Sequence, residues 1–178
     1  MELFDAIRTR KSVRSWSDQE VSDQLLHQVI DMARLAPSAK NLQDWHVVIA
    51  RDPEVRRKIG EAASQPFVGQ APAVLAVCGD TSSGVMSCGV DRWVVDTTIL
   101  IDHIVLCATA LGLGTCWIGH FSQDRTRAVL SIPESWEVIE LLPIGFPADS
   151  SERRKTRKPA REIVSWDAWG QTPPEEFS

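Results

Sequence analysis

Residues 91–121 constrain the fold of this chain more than any other stretch. Up to residue 111 they contain no Gly or Pro and are apolar almost all round, with Asp96, Thr98, Asp102, His103 and Thr109 as the main polar interruptions. That is the pattern of a buried helix. Gly112 falls where a helix commonly ends in a left-handed residue, and residues 113–119 alternate small and apolar side chains through Gly114 and Gly119. The helix is therefore expected to give way to a buried strand. Its length would suit a membrane span, but two aspartates and a histidine in its middle would be costly in lipid. The expectation is a core helix, or one packed against a partner subunit.

With 178 residues the chain has room for one domain with a substantial core and too little for two, so residues 1–178 are read as a single domain. The first apolar residues belong to an acidic, helix-like segment over residues 2–9, unlike the basic and apolar regions of a secretory signal. A soluble cytoplasmic protein with no membrane partner is expected. Cys78, Cys88, Cys107 and Cys116 lie ten, nineteen and nine residues apart with no C-x-x-C pair. That spacing suits neither zinc nor an iron–sulfur cluster, so no metal is expected and the thiols are read as reduced.

The net charge of −5 conceals a segregation. Arg8, Arg10, Lys11 and Arg14, together with Arg153, Arg154, Lys155, Arg157, Lys158 and Arg161, place ten of the nineteen basic residues in sixteen acid-free positions. The remainder holds nine basic against twenty-four acidic groups. Such a body repels a long polyanion, which argues against nucleic acid and leaves two alternatives, a small anionic ligand or two merely solvated basic runs.

Residues 2–9 place Leu3, Phe4 and Ile7 on one helical face, ending near Arg10. Ser22 is the N-cap of a second helix that carries Leu25, Leu26, Val29, Ile30 and Ala33 and breaks at Pro37. Residues 37–45 form a loop rich in hydrogen-bonding groups that leads into a short strand over 46–50. It is either a ligand contact or an ordinary turn. Asp52-Pro53-Glu54 opens a surface helix running to about residue 63. Residues 73–78 read as a second buried strand, 79–89 as a flexible loop, Ser122 as the cap of a further helix, and 137–144 as a third apolar strand.

His27, His46, His103 and His120 show no metal-ligand spacing and neighbour no nucleophile motif. There is no G-x-G-x-x-G turn and no Walker loop. An anion-binding protein without an evident nucleophile, acid–base pair or metal points to chemistry carried by a cofactor.

Four segments, taken together, resemble the FMN-dependent nitroreductase family. They are Arg10-Lys11-Ser12-Val13-Arg14 with Trp16; residues 37–45 (Pro37, Ser38, Asn41, Gln43 and Trp45 among them); residues 110–119; and Pro143-Ile144-Gly145-Phe146-Pro147 followed by Arg157-Lys158-Pro159. Their order and spacing span nearly the whole chain. The resemblance implies an α+β fold, a central mixed or antiparallel sheet flanked by helices, in a homodimer with FMN sites at the subunit interface. It implies that Arg10, Lys11, Ser12 and Arg14 form the first FMN-binding segment, and that Arg157, with Arg154 or Lys158, contacts the phosphate. Ser38, Asn41 and Gln43 correspond to a loop that reaches the flavin of the opposite subunit. Cys116, Trp117, Ile118 and Gly119 correspond to the strand end against the isoalloxazine. Asp44 stands where the family commonly has Pro, and it is expected to face solvent. No protein side chain is assigned a catalytic role.

The implied activity is hydride transfer from NADH or NADPH to flavin N5, then to a nitroaromatic, quinone or similar small-molecule acceptor, by a ping-pong mechanism. The alternatives are a specialised member of the same fold (a reductive dehalogenase, an FMN-consuming enzyme or a ring oxidase) and a non-catalytic flavin-binding protein.

Overall fold

A computed structural model describes residues 1–149, 151 and 155–177. In chain order its main elements are α1 (Leu3–Thr9), α2 (Asp23–Ala33), β1 (Trp45–Ala50), α3 (Pro53–Ala62), α4 (Pro66–Gln70), β2 (Ala73–Asp80), α5 (Arg92–Ala110), β3 (Gly114–Thr115), α6 (Gln123–Leu130) and β4 (Trp136–Gly145). The strands form one antiparallel sheet in the order β1-β2-β4-β3. This is the α+β arrangement, an antiparallel sheet flanked by helices, that the resemblance implies.

β2 is buried along nearly its whole length because both of its faces are covered. One face carries Leu75, Val77, Leu142 and Ile144 against α5 and α2. The other carries Val74, Ala76, Cys78, Val138 and Leu141 in a second cluster with Ile59 of α3 and Val68 of α4. A continuous apolar run is what a strand covered on both sides requires. A bulge between Val77 and Cys78 shifts the pairing with β4.

α5 is the core helix. By length and composition it could cross a membrane, yet Leu100, Ile101, Ile104, Val105 and Ala108 are buried in the cluster under the sheet. Ile101 and Val105 are therefore unavailable to a partner subunit. Ser22 and Ser122 cap α2 and α6 by accepting the N–H of Leu25 and Arg125, and Asp52 caps α3. α5 ends as expected, with Gly112 at φ 81° and Leu113 N–H bonded back to Ala108 O at 2.8 Å.

Three local expectations are corrected. The strand expected over residues 113–119 is paired only at Gly114–Thr115, with one further isolated bridge between Ile118 and Leu141. Leu3, Phe4 and Ile7 of α1 are exposed, and the residue that α1 buries is Ala6. The loop expected from residue 79 starts later, because β2 continues through Gly79 and Asp80. The helix α4 had no sequence signal beyond Pro66, which sits at its first turn.

Candidate functional site

The site begins where the chain ends of α1 and β3 meet. Residues 10–14 leave α1 and run beside β3, where Ser12 bridges Thr115 and Val13 N–H donates to Thr115 O at 2.9 Å. Gly114 permits this approach: a Cβ there would lie 2.4 Å from a Val13 methyl. The first and third sequence motifs, a hundred residues apart, are thus joined by backbone pairing. At Cys116, burial pushes the thiol pKa up. The nearby Arg14 charge, the hydrogen-bonded Ser12 hydroxyl and the Arg10 charge oppose that shift. Ser12, Arg10, Arg14 and Cys116 therefore share one electrostatic neighbourhood.

The carboxy-terminal segment closes on the same place. Ser17 N–H donates to Phe146 O (2.9 Å) and Ala148 N–H to Ser15 O (3.1 Å). Lys11 Nζ bonds the carbonyls of Asp149 and Ser151, so its ammonium fastens the tail. Lys155 Nζ donates to Ile7 O at 2.6 Å, at the carbonyl end of α1. Desolvation lowers the Lys155 pKa, and the charges of Arg10 and Arg157 lower it further. Arg10, Lys155 and Arg157 thus form a cluster of like charge, which an anion would relieve. Arg157 otherwise donates to the carbonyl of its neighbour Thr156 at 2.8 Å. Lys158 is exposed. Arg154 lies outside the described residues. Lys155 was missed in the sequence because the basic run gives no sign of which side chains turn inward.

The 38–43 loop is a separate unit. Ser38 Oγ accepts the Gln43 N–H at 3.0 Å, and Gln43 Nε2 donates to Asn41 O at 3.3 Å. Lys40, Asn41 and Gln43 all have positive φ, at 55°, 55° and 52°. Each non-glycine residue held there costs on the order of 1 kcal/mol. The loop is fastened to α5 by Ala39 N–H, which donates to Asp96 Oδ2 at 2.9 Å. Its hydrogen bonds found among the described residues run within itself and to Asp96, not to residues 10–14 or 116–119.

Asp44 does not face solvent. It is buried beside Asp96, and among the described residues neither of its carboxyl oxygens has a hydrogen-bond donor. Burial raises the Asp96 pKa; the Ala39 N–H opposes the rise and the adjoining Asp44 carboxyl adds to it.

At the strand end Cys116 and Ile118 are buried, while Trp117 and Gly119 are exposed. A Cβ on Gly119 would meet only the carboxyl oxygens of Glu140, each at 3.9 Å. The backbone there borders open space. His27, His46 and His120 are exposed, and His103 Nδ1 lies 3.0 Å from Ile99 O within α5. His46 also lines a cleft of about 310 Å³ with Cys78 and Trp136, and that cleft contains none of the motif residues.

The sequence profile described as the nitroreductase family matches residues 7–67 and 61–146. The chain is 34% identical over 174 residues to a Methanothermobacter thermautotrophicus protein named as an NADH dehydrogenase/NAD(P)H nitroreductase, covering 93% of this chain and 88% of that one. It is 30% identical over 182 residues to an FMN reductase [NAD(P)H] of Bacillus subtilis, covering 91% and 72%. The crystal structure of a nitroreductase family protein from Clostridium difficile 630 superposes with a TM-score of 0.85 at 31% identity, covering 94% of this chain and 99% of that one.

Proposed function

The chain belongs to the nitroreductase family of NAD(P)H oxidoreductases, and from that premise we propose that it is an FMN-dependent enzyme. In this reading it passes a hydride from NADH or NADPH to a small acceptor such as a nitroaromatic or quinone. The observation that carries the reading is the convergence of residues 10–14, 116–119 and 155–157 through the Ser12–Thr115 bridge and the Lys155–Ile7 hydrogen bond. The FMN reductase name of the Bacillus subtilis relative supports the choice of cofactor.

The residues present fit FMN. Arg10, Lys155 and Arg157, with Arg14, Arg154 and Lys158 nearby in sequence, offer the paired donors and positive charge that a phosphate dianion needs. Lys11 holds the tail that presents them. Ser12 sits where it can donate to a ligand beside Cys116. Residues 116–119 present a backbone edge, with Trp117 and Gly119 exposed. When bound, FMN supplies the hydride-accepting N5. The protein orients the ring, and no side chain is assigned a proton-transfer role in the hydride step.

Ser38, Asn41 and Gln43 are fastened to α5 and not to the phosphate cluster, so a second copy of the chain would bring its own loop to complete the site. A homodimer with two sites at its interface follows, operating in the cytoplasm, where the four free cysteines remain reduced. The test is anaerobic titration of the purified protein with NADH and with NADPH. The protein should be yellow, hold about one FMN per chain, and bleach with one of the two nicotinamides. A protein that stays colourless after incubation with FMN would overturn the cofactor. A yellow protein that neither nicotinamide bleaches would overturn the catalytic reading.

A further inference from the structure

One buried acid beside the 116–119 strand end has no part in the reading above. Glu140 lies on β4 opposite Val77 of β2, next to Leu141, whose backbone exchanges hydrogen bonds of 3.1 and 3.2 Å with Ile118. Its side chain is 8% exposed and its Oε1 has no hydrogen-bond partner. Ionising this carboxyl is costly, because among the described residues no donor or cation replaces the water that Oε1 has lost. The space it faces is defined by Gly119, where an added Cβ would meet nothing but the two Glu140 oxygens. The carboxyl and the exposed Gly119 backbone therefore border the same opening.

We infer that Glu140 is a positioning residue of the flavin site, forming the ionisable wall beside Gly119 and taking up a proton when the neighbouring ring is reduced. The inference rests on the FMN reading. Hydride from NAD(P)H brings two electrons and one proton to the ring and leaves the nicotinamide oxidised. The negative charge so added lies beside the Glu140 carboxylate, which binds one proton from solvent, and local charge is then unchanged. When the acceptor takes the two electrons and a proton, Glu140 returns its own proton to solvent.

Burial alone pushes the Glu140 carboxyl up to about 7. Near neutral pH a single nearby charge is therefore enough to change its protonation. The Glu140 charge acts on the Cys116 thiol, which burial holds in its neutral form and which the charges of Arg14 and Arg10 push the other way. β2 presents Val77, and the neighbours on β4 are Ile139 and Leu141, none of which ionises.

The experiment is a redox titration of the FMN-loaded protein from about pH 5 to about pH 9, in wild type, Glu140→Gln and Glu140→Asp. Above the wild-type carboxyl pKa, the wild-type midpoint should fall more steeply than that of Glu140→Gln by ~30 mV per pH unit, the value of one additional proton in a two-electron couple. Glu140→Asp should restore the steeper line. A second measurement needs no variant: the reduced-minus-oxidised infrared spectrum of wild type near pH 8 should gain a protonated-carboxyl band, since the proton is bound only on reduction. Parallel midpoint lines, or no such band, in a protein that does hold FMN would overturn the role of Glu140 and leave the FMN reading standing. Protein that cannot be loaded with FMN overturns both.

Discussion

Glu140 also carries a stability consequence that is independent of any cofactor. Its folded carboxyl keeps a proton up to about pH 7, against an ordinary value of 4.5. Between those two values the folded chain binds more protons than the unfolded one, so stability falls as pH rises through the window and stays lower above it. Glu140→Gln removes this penalty. In urea unfolding at pH 8 the variant should exceed wild type by up to about 3 kcal/mol, and the two should converge near pH 4. A gap that does not change with pH would show that the carboxyl titrates normally. At the same scale, Arg10→Ala combined with Arg157→Ala should weaken FMN binding by orders of magnitude, since each charge-assisted phosphate contact contributes roughly 1.5–3 kcal/mol. Equilibrium dialysis measures this directly, and normal affinity in the double variant would move the phosphate elsewhere. Glu140 was not singled out in the sequence, where residues 137–144 read only as an apolar strand. The inward turn of Lys155 was not legible there either, because it depends on where the tail meets the end of α1.

Among the elements, the 38–43 loop is fastened to α5 through Asp96. Asp96→Ala leaves the Ala39 N–H without its acceptor and should cost about 1–3 kcal/mol. Amide exchange at residues 39–43 should accelerate, while Asp96→Asn, which keeps an acceptor, should retain most of the protection. Equal exchange in both variants would mean that the strained loop is held by something else. The sequence made α5, its glycine stop and the caps of α2, α3 and α6 legible, because each is local chemistry. It misplaced the strand after Gly112, where alternation continues to residue 119 but the segment pairs with β4 only at Gly114–Thr115 and again at Ile118. Pairing is a property of two strands, and alternation reports only one of them. Asp44 was misjudged for a similar reason: its burial depends on a packing partner in α5 that lies far along the chain.

On the scale of the whole molecule, α1 and the tail carry much of the large apolar surface left uncovered. Phe4 is 70% exposed and Trp169 fully so, with Leu3, Ile7, Ile163 and Trp166 also open. Large apolar side chains that gather into a contiguous patch mark an interaction surface. On the proposed shared site, sedimentation should show a dimer, and Phe4→Asp with Ile7→Asp should give monomers that lose FMN, since the 38–43 loop of a second copy would then be missing. A monomeric variant that keeps its flavin would contradict a shared site. On the proposed flavin reading, steady-state kinetics should be ping-pong, with parallel double-reciprocal lines, since one open ring face would serve nicotinamide and acceptor in turn; intersecting lines would show that it holds both together.

The stitching of the two ends of the fold sets an order of events during synthesis. Residues 10–14 emerge from the ribosome first, yet the backbone that aligns them lies at Thr115 and the cations that complete their cluster lie at 155–157. At roughly 5–20 residues per second, several seconds of translation separate the first motif from the last. A nascent chain can lay down its sheet from β1 to β4 while the anion cradle is still half built. On the proposed FMN reading, cofactor loading would therefore be a step of the released chain.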